Sequence, residues 1–476
     1  MAKRTRIVAT LGPATDPPGV LDAMLRAGVD VVRINFSHGA TAERRRRVDA
    51  VRAAAQRVGR DIGILGDLQG PKIRVERFAN GPVELADGAV FTLDAALPAD
   101  GGDQHAVGVA YKALPQDVSP GDMLVLNDGA IMLEVERVTG SRVECRVRVG
   151  GILSDGKGIN RVGGGLSAGA LTDKDRQDIR TVAELELDFL AVSFPRCAAD
   201  MTEARRLLQE AGGSALLVAK IERAEAVDRI EEIARVSDIV MVARGDLGVE
   251  IGFAEVPGVQ KNIIRVARAM NRVVITATQM MESMIHEPIP TRAEVSDVAN
   301  AVIDGTDAVM LSGETAVGRH PLKAVEAMAS ACVSAEKQRA TSISHHRMED
   351  VFERTDEAIA MATMYTANHM NVKAIVALTE SGSTALWMSR IRSGIPIYAF
   401  SRNESTRRRV TLYRGVYPVS FDVLADPGRS GFRALCGALI ERGLAAVGDR
   451  VLLTEGHAAG VAGGTNTMKI LTVVAP

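Results

Sequence analysis

An α/β protein built on a (β/α)8 barrel is predicted for this chain, with a small β-barrel lid domain inserted in the barrel and a doubly wound α/β domain following it. Three observations carry the prediction. Eight short apolar runs recur through the first two thirds of the sequence, each stopping at charged, hydroxyl or amide side chains. The stretches between most of them place apolar residues at three- and four-residue spacing. One interval of about 100 residues breaks that rhythm with short alternating segments joined by turn residues.

The eight runs begin at Arg6 (RIVATLGP), Asp30 (DVVRINFSH), Asp61 (DIGILGDLQG), Asp188 (DFLAVSFP), Ala215 (ALLVAKIE), Asp238 (DIVMVARGD), Asn271 (NRVVITATQMM) and Asp307 (DAVMLSGET). A short, nearly continuous apolar run suits a parallel strand covered on both faces. Ala42 to Val58, Asp173 to Leu185, Pro257 to Met270 and Thr291 to Ile303 have the period of helices that bury one stripe. Eight such βα units close into a barrel whose active site lies at the carboxyl ends of the strands, where the βα loops meet. The polar clusters of this chain fall at those ends.

The expected division assigns 1–71 and 170–340 to the barrel and 72–169 to the inserted β domain. In the insertion, VELADGAVFTL, MLVLNDGAIMLEVERV and SRVECRVRVGG alternate as hairpin strands do, around Gly, Pro and an Asn-Asp-Gly turn. Its closing segment, GKGINRVGGGLSAG, reads equally as a hinge or as a plain connector. A helix is expected over Pro321 to Lys337, then a polar linker, 341–355. Ser342, His345, His346 and Arg347 lie in this stretch, and the histidines lack a carboxylate or cysteine at ligand spacing, so a solvated turn is expected there. The strands KAIVAL, IPIYAF, VYPVSF, DRVLLT and MKILTVV, alternating with helical pattern, predict the doubly wound domain over 356–476.

Composition narrows the function. The 476 residues carry 57 Lys+Arg against 59 Asp+Glu, a formal charge of -2, so no overall field draws the chain to nucleic acid or to an anionic membrane. No apolar run approaches the roughly 20 residues that span a bilayer, and MAKRTRIVATLGPATD has no signal-peptide core. A cytoplasmic location is expected. Cys145, Cys197, Cys332 and Cys436 are far apart and read as structural thiols.

Lys220 and Glu222 are two apart at the end of the fifth run and project on one face of an extended chain. Arg244, Gly245 and Asp246 follow the sixth, adding a second carboxylate beside a residue that lets a ligand approach the backbone. Two carboxylates from adjacent strands suit Mg2+, which takes few protein oxygens and keeps positions for water or substrate. An ammonium beside it suits a phosphoryl group in flight. Taken alone, a structural Lys–Glu pair is as good a reading. Arg33, Asn35, Ser37, His38, Asp67, Arg74, Thr278, Gln279, Ser312, Glu314 and Thr315 fall at equivalent ends or just beyond, and their joint placement favours chemistry. Singly, Ser312 and Thr315 read as helix caps.

The segments NFSH, GDLQGPKIR, AKIERAEAV, VARGDLGVEI, ATQMMESM, PTRAEVSDVANAVIDGTDAVMLSGETA and GVAGGTNTMK, in this order along essentially the whole chain, resemble the pyruvate kinases, and GDLQGPKIR with LTESG most resembles their bacterial type II branch. The resemblance implies phosphoryl transfer from phosphoenolpyruvate to ADP, with Mg2+ or Mn2+ as cofactor and a homotetrameric assembly. It gives Lys220 the transferring phosphoryl group, Glu222 and Asp246 the metal, and Arg33, Gly245, Asp246 and Thr278 contact with the substrate. Thr278 takes the place of enolpyruvate protonation. Asn35, Ser37 and His38, with Arg74 and Lys157 of the insertion, match the nucleotide-phosphate site.

Two further expectations follow from the resemblance. Many relatives have Thr at the position of Leu68 and Glu at that of Lys72, beside an activating K+. A fixed ammonium here implies activity without K+, with Asn35, Ser37 and Asp67 as partners of Lys72 in place of the cation. In the last domain Thr379, Ser381, Gly382, Ser383 and Thr384 match a phosphate loop for a sugar-phosphate or nucleotide effector, although Glu380 would repel an anion unless Arg402 or a neighbour offsets it. The run Arg407, Arg408, Arg409 reads as a solvated helix face. The rival readings are a Mg2+-dependent keto-acid lyase or aldolase, and a catalytically silent phosphometabolite sensor.

Overall fold

The computed structural model describes residues 3–71, 73–342, 351–422, 431–456 and 463–475. Lys72, His345, His346 and Arg347 lie outside the described residues.

Eight parallel strands close a barrel: Arg6–Thr10, Val31–Asn35, Gly63–Asp67, Phe189–Val192, Leu216–Ile221, Ile239–Ala243, Val273–Ala277 and Ala308–Leu311, the last pairing with the first. All eight apolar runs form these strands. Alternation within a strand separates two environments: Ile7 and Ala9 pack outward against the helices, whereas Val8 joins Val31, Leu65, Val218, Met241, Ile275 and Met310 in the interior. The expected helices form at Thr41–Val58, Asp173–Glu184, Val256–Ala269 and Arg292–Asp304. Thr172 and Thr291 start two of them with side chains that accept backbone N–H groups, each in a reciprocal capping box.

Between the third and fourth strands the chain leaves to build a curled six-stranded sheet, in the order Ile159–Arg161, Met123–Leu126, Ile131–Thr139, Arg142–Val149, Val90–Asp94 and Ala106–Gly108, with its own apolar core. Asn127, Asp128 and Gly129 all take positive φ (54°, 54° and 102°) in the hairpin turn. The glycine-rich return is held in place. Gly163 donates to the Glu250 carbonyl at 2.9 Å, Gly165 N–H to the Glu225 carboxylate, and Arg223 to the Leu166 carbonyl at 3.0 Å.

The last domain is a five-stranded sheet in the order Val416–Ser420, Ile397–Ser401, Ala374–Leu378, Arg450–Gly456 and Thr465–Thr472. Four strands are parallel and the fifth is antiparallel. Its helix residues Ala360 and Met364, together with Ile375, Leu412 and Tyr413, belong to the same apolar cluster as the barrel interior, so this domain closes the amino end of the barrel. The closure corrects the solvated reading of the arginine run. Arg407 pairs with Asp61 at 3.2 Å, Arg408 with Asp188 at 2.9 Å, and Arg409 donates to Ser214. Asp61 and Asp188 stand where the third and fourth strands begin, and their charges need cations once the domain covers them.

Candidate active site

The carboxyl ends of the strands bring together side chains that are far apart in the chain. Asp67, on the third strand and fully buried, accepts Arg33 Nε of the second strand at 2.6 Å and lies 3.3 Å from Lys220 Nζ of the fifth. Lys220 Nζ also lies 2.8 Å from Glu222 Oε1 and donates to Ser193 Oγ at 2.7 Å. Ser193, from the fourth strand end, donates in turn to the Leu68 carbonyl at 2.8 Å. Burial opposes the charge on Asp67, but Lys220 and Arg33 outweigh it and hold the carboxyl below its ordinary range. Burial likewise opposes the Lys220 ammonium, and Asp67 and Glu222 reverse that effect, leaving its pKa raised. Lys220 is therefore a cation at all physiological pH values, held in a pocket that excludes most water.

Glu222 is different. Burial, with Asp246 adding its negative charge, raises its carboxyl to about 7 against the pull of Lys220. Its second oxygen accepts the Phe194 N–H at 2.9 Å. A cation beside Glu222 would relieve that cost of ionisation. Among the described residues no group of three or more His, Cys, Asp or Glu is arranged to hold a metal. The two carboxylates Glu222 and Asp246, whose charges bear on one another across adjacent strand ends, fit an ion that takes few protein oxygens and otherwise water or substrate, as Mg2+ does.

The sixth and seventh strand ends interlock. Arg244, Gly245 and Asp246 open the helix Arg244–Ile251. Gly245 N–H donates to Thr278 Oγ1 at 2.8 Å, and that hydroxyl donates to the Ala277 carbonyl at 2.6 Å. A Cβ at Gly245 would meet Thr278 at 3.6 and 3.8 Å and, apart from its chain neighbours, nothing else among the described residues within 4 Å. From the eighth strand end, Glu314 accepts the N–H groups of Met281 (3.1 Å) and Ser312 (2.6 Å), tying two loops together, and Thr315 donates to the Thr10 carbonyl at 2.8 Å. Ser312 Oγ is buried without a hydrogen-bond partner among the described residues.

Near the second strand end, Asn35 Oδ1 accepts the Ser37 N–H at 2.9 Å, and Arg44 grips the Phe36 carbonyl at 2.8 Å while paired with Asp178 at 2.7 Å, which sets the turn that carries His38. Leu68 is 2% exposed and presents no oxygen from its side chain. In the insertion, Arg74 bridges Gly158 by backbone and the Lys157 carbonyl accepts the Val75 N–H at 2.9 Å, which brings together the two stretches that carry Arg74 and Lys157.

Residues 2–325 match the family described as pyruvate kinase, barrel domain, and residues 357–471 match pyruvate kinase, alpha/beta domain. The chain is 55% identical to pyruvate kinase II of Salmonella typhimurium over 99% of both proteins. It is 54% identical to a pyruvate kinase of Haemophilus influenzae over 95% of this chain and 96% of the relative. With one of Mycobacterium intracellulare the identity is 39% over 99% of this chain and 98% of the relative.

The chain belongs to the pyruvate kinase family. It is a phosphotransferase with phosphoenolpyruvate and ADP as substrates, and the lyase and sensor readings give way. Among the described residues no helix is long and apolar enough to cross a membrane. Sequence reasoning placed Arg33, Asp67, Lys220, Glu222, Gly245, Asp246 and Thr278 at the mouth of this pyruvate kinase barrel. It missed Ser193, although DFLAVSFP ends as the other runs do, and it passed over Arg244 as a mere neighbour of Gly245.

Proposed function

We propose that Lys220 is the cation that meets the phosphoryl group as it passes from phosphoenolpyruvate to ADP. The observation that carries this reading is the placement of one buried ammonium between Asp67, Glu222 and Ser193, with Arg33 on the far side of the same aspartate. Arg33 would take the phosphoryl oxygens beside it, in a site that needs no reorganisation as charge develops. Glu222 and Asp246 would hold Mg2+ or Mn2+, which supplies charge neutralisation for the phosphoryl oxygens. Gly245 and Asp246, at the start of the helix Arg244–Ile251, would contact the substrate together with Thr278. Thr278, hydrogen-bonded to Gly245 N–H, would support protonation of the enolpyruvate carbon. Asn35, Ser37 and His38, with Arg74 and Lys157, form the nucleotide-phosphate side. The insertion 72–169 acts as a lid over the mouth of the barrel, 1–71 and 170–340, and excludes the water that would hydrolyse the phosphoryl group.

Three finer readings join it. The enzyme works without K+, as the residue types at positions 68 and 72 imply, with Asn35, Ser37 and Asp67 the proposed partners of the Lys72 ammonium in place of the cation. It is regulated through the last domain, 356–476, beyond the linker 341–355. There Gly382 (φ 86°) precedes a helix start, its N–H held by Thr379 Oγ1 at 2.8 Å, and Ser381 and Ser383 share a hydrogen bond of 2.5 Å. Glu380 is offset by Arg402 at 3.4 Å and by Asn403 at 2.7 Å, which favours a phosphorylated sugar or nucleotide at Thr379, Ser381, Gly382, Ser383 and Thr384. A homotetramer in the cytoplasm is the assembly and place the resemblance supports.

The test is pyruvate formation from phosphoenolpyruvate, ADP and Mg2+, with tetramethylammonium replacing K+ at equal ionic strength. Equal rates in both arms support the whole reading; activity only with K+ removes the Lys72 role and keeps the kinase.

A further inference from the structure

Thr278 and Gln279 follow the seventh barrel strand with φ of 66° and 53°. Two consecutive non-glycine residues in the left-handed region are costly, and a β-branched threonine is the harder case. Such a turn persists only where its surroundings hold it. Here the hold comes from one side chain. Arg244 Nη2 donates to the Thr278 carbonyl at 2.8 Å and to the Gln279 carbonyl at 3.0 Å, and Arg244 Nε donates to the Thr278 carbonyl at 3.2 Å. Arg244 is itself buried (7% exposed) and fixed by Asp297 at 2.6 Å. The planar guanidinium is the group that can serve both carbonyls at once. The peptide that follows Arg244 completes the lock, since Gly245 N–H donates to Thr278 Oγ1 at 2.8 Å.

We propose that Arg244 is a positioning residue for the second half of the reaction: it holds the Thr278–Gln279 backbone in its left-handed turn and so fixes where Thr278 Oγ1 stands. This rests on the assignment of Thr278 to proton transfer made above. In the first half, the bond between phosphorus and the enol oxygen of phosphoenolpyruvate breaks as a bond forms from phosphorus to the terminal oxygen of ADP, leaving enolpyruvate. In the second, the enolate electron pair closes to the keto group while the methylene carbon takes one proton. A proton delivered on the enzyme arrives at one face of that carbon; enolpyruvate that escapes is protonated in water on either face. Arg244 touches neither reacting atom, and its influence runs through the turn.

The experiment uses phosphoenolpyruvate carrying deuterium at one vinyl position, turned over in tritiated water with ADP and Mg2+, and reads the chirality of the pyruvate methyl group alongside ATP formation. Arg244→Gln and Arg244→Lys are expected to lower kcat roughly 10- to 100-fold, the cost of an approximately 1 Å misplacement. Both should leave Mn2+ binding unchanged and scramble the methyl group. Adding Gln279→Gly to Arg244→Gln should restore much of the single-face protonation, because glycine adopts the left-handed conformation without strain. Thr278→Val serves as the reference. If it scrambles the product while the Arg244 variants keep one face, the Arg244 proposal is overturned and the Thr278 reading stands. If Thr278→Val itself keeps one face, the Thr278 reading fails first and the proposal falls with it. An Arg244→Gln chain that does not fold, and is not recovered by Gln279→Gly, also overturns the proposal, since the arginine would then serve the whole molecule and not this turn.

Discussion

Asp67 Oδ2 stands 2.6 Å from Arg33 Nε, and the same carboxylate faces Lys220 at 3.3 Å through its other oxygen. A single buried anion therefore holds apart two cations that both point toward the barrel mouth. Asp67→Asn would take from Arg33 and Lys220 the carboxylate they share and leave Glu222 beside Lys220 alone. The expected outcome is a loss of about 3–5 kcal/mol in stability, as for a broken buried pair, and a kcat lowered at least ~100-fold through displacement of Lys220. Denaturant midpoints and steady-state kinetics check both, and a variant of normal stability and turnover would show that Asp67 is not what places Lys220.

Removal of one proposed metal carboxylate should be read directly in metal binding. Asp246→Asn lowers Mn2+ affinity by about 10- to 100-fold or more, on the scale seen for disturbed metal sites. Paramagnetic relaxation of water protons reports the affinity without any need for turnover. Unchanged Mn2+ binding would take Asp246 out of the metal site.

Glu250 lies where the inserted domain returns to the barrel, accepting Ala224 N–H at 3.0 Å, and burial raises its carboxyl to about 7. A folded-state pKa above the ordinary 4.5 means that the protonated form is favoured on folding. Its stabilising contribution is full below pH 4.5 and is lost as the pH rises through about 7. Glu250→Gln keeps an acceptor and removes the charge. Thermal midpoints should rise for the variant at pH 8, by an amount corresponding to roughly 1–3 kcal/mol, and differ little at pH 5. A variant less stable than the parent at pH 8 would contradict this.

Cys145 and Cys332 are buried, and burial pushes both thiols up to about 12. At pH 8 their thiolate fraction is on the order of 0.01%, and the thiolate is the reactive form. Alkylation of the native protein followed by peptide mass analysis should label Cys197, which is partly exposed, well before either. Early labelling of Cys332 would mean that the helix carrying it opens readily.

The barrel was legible because its eight strands are covered on both faces, so each shows as a continuous apolar run, and because the chain stops each run with polar residues. The same-face spacing of Lys220 and Glu222 was legible for an equally local reason, and the structure places them 2.8 Å apart. Arg244 was not. Its role depends on positive φ at Thr278 and Gln279, residue types that give no local sign of that conformation. Ser193 was overlooked because a lone serine after an apolar strand looks like a turn residue until Lys220 is seen to donate to it. The arginines at 407–409 looked solvated because nothing in their own helix tells of Asp61 and Asp188, which lie more than 200 residues earlier in the chain.

Sequence alone determined the strands, most helices, the position of the insertion and the order of the motifs, since periodicity, turn chemistry and motif identity are properties of neighbouring residues. Only the tertiary structure decided which charges meet: that Asp67 serves both Arg33 and Lys220, that Arg244 grips the turn after the seventh strand, and that the last domain closes the barrel with Arg407 and Arg408. Those pairings depend on barrel closure and domain docking, which bring distant segments within a few ångströms, and Coulomb and hydrogen-bond energies fall off too steeply for any local pattern to encode them.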